Sequence, residues 1–165
     1  MGFPNDLNTS GFVYQDINSD GIDELFLLRN ADAEIGPIIA GYTLDDGHPV
    51  RLFSSWARSR FDLRSDGIIY NSGSSGAAYI DHYIFDLTDA ELVVREGVFS
   101  NGYTEANGGS LIWFWENKES VSSHANPLQI SSKEAEQRIN LYQQSVIHRF
   151  NNYTSFAEYA ASLNH

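Results

Sequence analysis

The chain predicts an α+β fold: mainly antiparallel β, built from hairpins in a meander, with a C-terminal helix pair packed on the sheet. Three observations carry this. Runs rich in Tyr, Ile, Phe and Val recur up to residue 116, separated by Gly, Asp and Ser clusters that mark turns. After residue 131 the apolar spacing changes: Ala135, Ile139, Tyr142, Val146 and Phe150 follow at intervals of four, three, four and four. Finally, 165 residues with 42% hydrophobic and 13% aromatic content can bury one sizeable core, and strands followed by helices segregate into α+β. The expected organisation is a single domain over 1–165, with a flexible polar lead over 1–10, a β-rich part over 11–116 and helices over 131–163.

In chain order, Tyr14 ends a first strand and Leu25–Leu28 forms a second, whose continuous apolar run predicts burial on both faces. Pro37–Leu44 is a third strand, closed by the turn Asp45-Asp46-Gly47, with Val50–Trp56 as its hairpin partner. Arg60–Arg64 and Ile68–Asn71 flank the turn Ser65-Asp66-Gly67. The small-residue run Asn71–Gly76 is expected to be a plain loop. It lacks both the G-x-S-x-G elbow and the lysine of a phosphate-binding loop. Ala78–Leu87 and Glu91–Phe99 make a hairpin across Thr88-Asp89-Ala90. Asn101–Gly109 is a polar loop, and Leu111–Trp115 a short aromatic strand. Ser131-Ser132-Lys133-Glu134 is a capping box that opens a helix running to Asn151-Asn152. Thr154 or Ser155 caps a second helix with Phe156, Tyr159, Ala160 and Leu163 inward.

Between the first two strands lies the stretch with the clearest chemistry. Asp16, Asn18 and Asp20 occupy loop positions one, three and five, Gly21 position six and Glu24 position nine. A hard cation such as Ca²⁺ takes six to eight oxygen ligands at about 2.3–2.6 Å from a curled loop of this kind. The carbonyl of Ile22 can contribute from position seven, and Gly21 tolerates the bend. Position twelve is Leu27 rather than the bidentate glutamate of an EF-hand, and no helical pattern flanks the loop. The competing account is a solvated Asp/Asn/Gly hairpin turn.

Asp16, Asn18, Asp20, Gly21, Glu24 and Leu25 resemble the D-x-[DN]-x-D-G-x-x-[DE]-L loop of FG-GAP-type and related bacterial secreted proteins. The resemblance covers about fifteen residues. It implies a calcium loop between antiparallel strands, completed by the ninth-position carboxylate, in an extracellular or cell-surface protein. It extends loosely to Ser65-Asp66-Gly67 and Ser72–Ala77. Met1-Gly2 before polar residues is expected to open a trimmed chain from which a signal or anchor segment has been removed.

A net charge of −12 repels phosphates and anionic lipid, which disfavours nucleic acid and membrane adsorption and suits cations. Without cysteine there is no disulfide, thiolate metal site or Cys nucleophile. The five histidines lack His-x₃-His or HExxH spacing, so zinc would need a site assembled from distant residues. Asp81 and His82 are adjacent and point to opposite faces of a strand, and His148 borders the helical stripe. Asp23 falls outside the odd-position ligand set.

Trp113 and Trp115 share one face of their strand, with Phe114 on the other. That face can stack on a sugar ring or pack into the core. The reading is a non-catalytic, calcium-stabilised extracellular domain with a binding or scaffolding role toward a protein or glycan. The alternatives are a carbohydrate-recognition module using Trp113 and Trp115, and a hydrolase with dispersed carboxylates.

Overall fold

Antiparallel pairing dominates the computed structural model, which describes residues 7–29, 38–104 and 109–164. The strands are β1 (Gly11–Gln15), β2 (Glu24–Leu28), β3 (Ile38–Asp45), β4 (His48–Ser54), β5 (Ser59–Leu63), β6 (Ile69–Gly76), β7 (Tyr79–Thr88), β8 (Glu91–Tyr103), β9 (Leu111–Asn117), β10 (Leu128–Ile130) and β11 (Thr154–Ser155). The helices are α1 (Lys118–Ser123), α2 (Ser132–Gln143) and α3 (Phe156–Ser162). One sheet has the order β11-β1-β2-β3-β4 and the other β10-β9-β8-β7-β6-β5. Each is chiefly a meander, so most pairings join neighbours in sequence. This is the mainly antiparallel α+β fold with C-terminal helices on the sheet.

Two apolar layers hold it together. Between the sheets, Val13, Phe26, Leu28, Ile38 and Phe53 meet Leu63 and Ile69, and Phe150 joins them. On the other side of the second sheet, Tyr70, Ile84, Val98 and Ile130 pack against Ala135 and Tyr142 of α2. The second sheet is therefore covered on both faces near β5 and β6. β2, in contrast, alternates: Phe26 and Leu28 are buried while Leu25 and Leu27 are half-buried, because the first sheet has only one core face.

Several expectations are corrected by tertiary contacts. Asn71–Gly76 is strand rather than loop, because β5 and β7 offer ladders on both sides that a small-residue segment can join. β8 likewise runs on to Tyr103, and residues 105–108 of the expected loop lie outside the described residues. Residues 7–10 of the lead are tied down: the Phe156 N–H donates to Ser10 O at 3.0 Å and the Ala157 N–H to Leu7 O at 3.1 Å. Residues 1–6 and Pro37 are outside the described set. α1 and β10 fill 117–130, where the apolar pattern assigns nothing.

The main helix is shorter than its pattern. Ser131 Oγ accepts from the Glu134 N–H at 3.1 Å, which is half of a capping box, while the Glu134 carboxylate turns to Arg138. α2 stops at Gln143, and Ser145 adopts φ 65°. Open backbone groups at β5 and its turn compete with further helix. The Ile147 N–H donates to Leu63 O at 2.8 Å, and the Ser65 N–H to Ser145 O at 2.8 Å. Arg64 Nη1 donates to the carbonyls of Leu141 and Tyr142, satisfying helix-end acceptors. Val146 thus pairs with Arg64, and Phe150 reaches the layer between the sheets.

α3 is capped by Ser155 in a full capping box with Glu158, but its apolar face is largely outward. Tyr159 is 49% exposed, Leu163 68%, and Ala160 is exposed too; Phe156 is half-buried. Tyr159 packs edge-on to Phe12 of β1 at 5.5 Å. Leu63→Ala, at a fully buried position, is therefore expected to cost about 2–5 kcal/mol. Leu163→Ala should stay within about 0.5 kcal/mol, both read from urea unfolding. Equal costs would contradict this assignment of the core.

Candidate functional site

The loop between β1 and β2 is built on side chain–backbone hydrogen bonds. Asp16 Oδ1 accepts from the Ser19 N–H at 2.7 Å and Oδ2 from the Gly21 N–H at 3.0 Å. Asn18 Oδ1 accepts from the Asp20 N–H at 3.3 Å, and its Nδ2 donates to Asp20 Oδ2 at 2.7 Å. Asp20 Oδ1 accepts from the Ile22 N–H at 2.8 Å. Such contacts are why Asp and Asn favour turns. Two residues, Ser19 at φ 63° and Gly21 at φ 87°, take the left-handed conformation that the tight curl needs.

Glu24 behaves differently from the other loop acids. It opens β2 and is fully buried. Its Oε2 accepts from the Ile17 N–H at 3.0 Å, and its Oε1 from Thr43 Oγ on β3 at 2.9 Å. Among the described residues it has no cationic partner. Burial raises its pKa above the ordinary 4.5 against the pull of these two hydrogen bonds, and the charges of Asp20 and Asp16 push it further up. Thr43 was not foreseeable as a site residue, since only the β2–β3 register brings it beside Glu24.

In kind, the donors fit a hard cation: carboxylates at Asp16, Asp20 and Glu24, the Asn18 carboxamide oxygen and the Ile22 carbonyl. Among the described residues each carboxylate oxygen named above accepts a single hydrogen bond, fewer than its two lone pairs can take. Convergence is another matter. Among the described residues no three His, Cys, Asp or Glu side chains come close enough together to hold a metal ion. Asp23 is exposed.

The loop is also pressed against the second sheet. Gly67 has φ 79°, and a Cβ there would lie 2.1 Å from Ile17 O. The turn between β5 and β6 can approach the loop this closely only as glycine.

Trp113 and Trp115 share a face, as the strand period requires, and that face lies against the layer under α2. Trp115 Nε1 donates to Glu96 Oε2 at 2.9 Å, and the Arg138 guanidinium sits 4.4 Å from its ring centroid. Both tryptophans are half-buried there. Phe114, on the opposite face, stacks on Phe99 at 5.5 Å.

Asp81 and His82 do separate to opposite faces. His82 Nδ1 is 2.6 Å from Tyr70 Oη, and burial pushes its pKa down to about 4. Asp81 Oδ2 is buried with no hydrogen-bond partner among the described residues, and burial raises its pKa. The two do not form an acid–base pair. His148 is exposed and lies beyond the end of α2, near enough to Asp62 to affect its charge; it is not on the helix.

Two expectations follow. Because Glu24 holds its proton more tightly when folded, cation-free stability should fall as pH rises from 4.5 through its raised pKa. Glu24→Gln, whose carbonyl can accept from the Ile17 N–H while its amide donates to Thr43 Oγ1 in a reversed bond, should remove that part of the slope in chelator-treated protein, measured by melting against pH. An unchanged slope would mean Glu24 carries no such penalty. Second, in a Trp56→Phe background the emission of Trp113 and Trp115 should be poorly quenched by acrylamide, whereas ready quenching would place their rings in solvent.

No family model matches the chain, and no curated protein or solved structure matches it.

Proposed function

We propose that the chain is a non-catalytic, calcium-stabilised extracellular domain of a bacterial secreted or surface protein, with a binding or scaffolding role. The observation that carries the reading is Glu24: a fully buried carboxyl whose pKa is raised chiefly by that burial and further by Asp20 and Asp16, with no cationic partner among the described residues. A buried acid in that setting either keeps its proton or takes a cation. The neighbouring donors are all oxygens, which select Ca²⁺ over softer metals. Weak extracellular calcium sites work at about 10⁻⁴–10⁻³ M, which suits a compartment outside the cell. The likeness of residues 16–25 to FG-GAP-type loops points the same way.

To bind one ion, the side chains of Asp16, Asn18, Asp20 and Glu24 and the Ile22 carbonyl would have to draw together from the positions they hold here, and the ion would then fasten β1 and β2 to β3 through Thr43. Its role is to hold the framework that presents other surfaces. The dispersed-carboxylate hydrolase draws no support from the Asp81–His82 geometry, and the tryptophan sugar platform draws none from a ring face lying under α2. No helix among the described residues is long and apolar enough to cross a membrane.

Calcium at a hundred times its Kd should stabilise the fold by about 2.7 kcal/mol. For a chain of this size that is a rise of about 5–10 °C in Tm on going from chelator to millimolar CaCl₂. Asp20→Ala should abolish the rise. A Tm that ignores calcium, or a rise that survives Asp20→Ala, would overturn the reading.

A further inference from the structure

The outer face of the first sheet is apolar, where an antiparallel sheet that turns one side to water commonly shows polar residues. Val13, Phe26 and Phe53 point into the core, so their strand neighbours point outward. The registers set Tyr14, Leu25, Tyr42 and Arg51 in one outward row and Phe12, Leu27, Ala40 and Ser54 in the next. Arg51 is the only charged side chain among these eight, in a chain that carries a net −12. Leu44 extends the face past Tyr42, and α3 extends it at the β1 edge. The Phe12 ring centroid lies 5.6 Å from that of Tyr14, 6.1 Å from Phe156 and 5.5 Å from Tyr159. Tyr14 is 58% exposed and Leu44 44%. The continuous apolar run of β2 and the Phe156–Leu163 stripe of α3 both have the pattern of buried faces, and both open onto this one surface.

We infer that this face is the interface of a homodimer, in which a second copy of the chain supplies the missing layer. Its chemistry selects that occupant. A nearly uncharged face gives an unlike partner little to recognise by charge, whereas homodimer interfaces are the more apolar kind. The face is also self-complementary. A two-fold axis running along the strands reverses the order of each row. Tyr14 then meets the partner's Arg51, a cation over an aromatic ring, and Phe12, the bulkiest side chain of its row, meets the partner's Ser54. The size is adequate as well. With about 150–250 Å² for a whole aromatic side chain, the open fractions of the apolar side chains on this face and α3 offer roughly 500–800 Å² per copy, close to the ~800 Å² that one partner buries in a standard interface.

The charge of the chain opposes the contact. Two copies at −12 repel each other. The acids of the β1–β2 loop and Asp45 and Asp46 of the β3–β4 turn lie at the same end of the sheet, since Leu25 pairs with Tyr42, and the row-reversing axis brings these ends near one another. Salt screens that repulsion and leaves the apolar contact in place. Dimerisation should therefore tighten as salt is added, the reverse of what an interface held by opposite charges would do.

The test is sedimentation velocity of the whole chain in calcium-free buffer, over about 1–500 µM protein and at low and high NaCl. A shift from the mass of one copy to that of two is expected, with a Kd of about 1–100 µM that falls with NaCl. Amide NMR shifts of the unaltered protein on dilution should be confined to 12–14, 25–27, 42–44, 51–54 and 156–163. Tyr14→Lys and Tyr159→Lys, each at an exposed position, should weaken the dimer at least about tenfold. Leu128→Lys, at a position equally open on β10 of the second sheet, should leave it unchanged. The mass of one copy throughout would leave the face to an unlike partner and overturn the inference. Dilution shifts centred elsewhere, a dimer that loosens with NaCl, or one that both tyrosine variants leave intact would also overturn it. None of these variants alters residues 16–24, so failure here is separable from failure of the calcium response.

Discussion

A single buried carboxylate, Glu24, fixes the geometry on which the first sheet depends. By accepting from Ile17 it closes the loop onto its own exit strand, and by accepting from Thr43 it locks that strand to β3. Hydrogen bonds to a charged acceptor are the stronger kind, at about 1.5–3 kcal/mol, but the burial of the charge opposes them. The folded state therefore carries an electrostatic tension at this point. The charges of Asp20 and Asp16 add to that tension.

The loop is not isolated from the second sheet. Ile17 O abuts Gly67 in the β5–β6 turn, and Arg64 at the start of that turn reaches the last carbonyls of α2. Order in the loop is thereby linked through packed backbone to the turn, and through the turn to the helix that covers the second layer. Phe150, carried by the chain leaving α2, completes the layer between the sheets. The β5–β6 hairpin is where the two cores meet, with Leu63 and Ile69 on one side and Tyr70 on the other.

The same hairpin has a free end. Its inner half is covered on both faces, and its outer half, from Arg58 to Arg60 and from Ser72 to Gly76, carries exposed cations and small hydroxyl residues.

Local pattern was enough for the strand–turn–strand order from β3 to β9, for the loop of oxygen donors, and for the shared face of Trp113 and Trp115, because each depends on residues a few positions apart. Tertiary structure decided what depends on distant partners. The Asn71–Gly76 run has turn-like composition, yet strands on both sides recruit it into a ladder. The stripe through Val146 and Phe150 is helical in period, yet the open backbone near Leu63 and Ser65 pulls those residues out of the helix and sends Phe150 to the other core. Tyr159 and Leu163 have the spacing of a buried face, but no layer lies over them among the described residues. The loop's residue types were legible as oxygen donors from the sequence. The burial of Glu24 and its bond to Thr43, 19 residues away, follow only from the register of β2 on β3, because a charge's environment is set by what the fold packs around it.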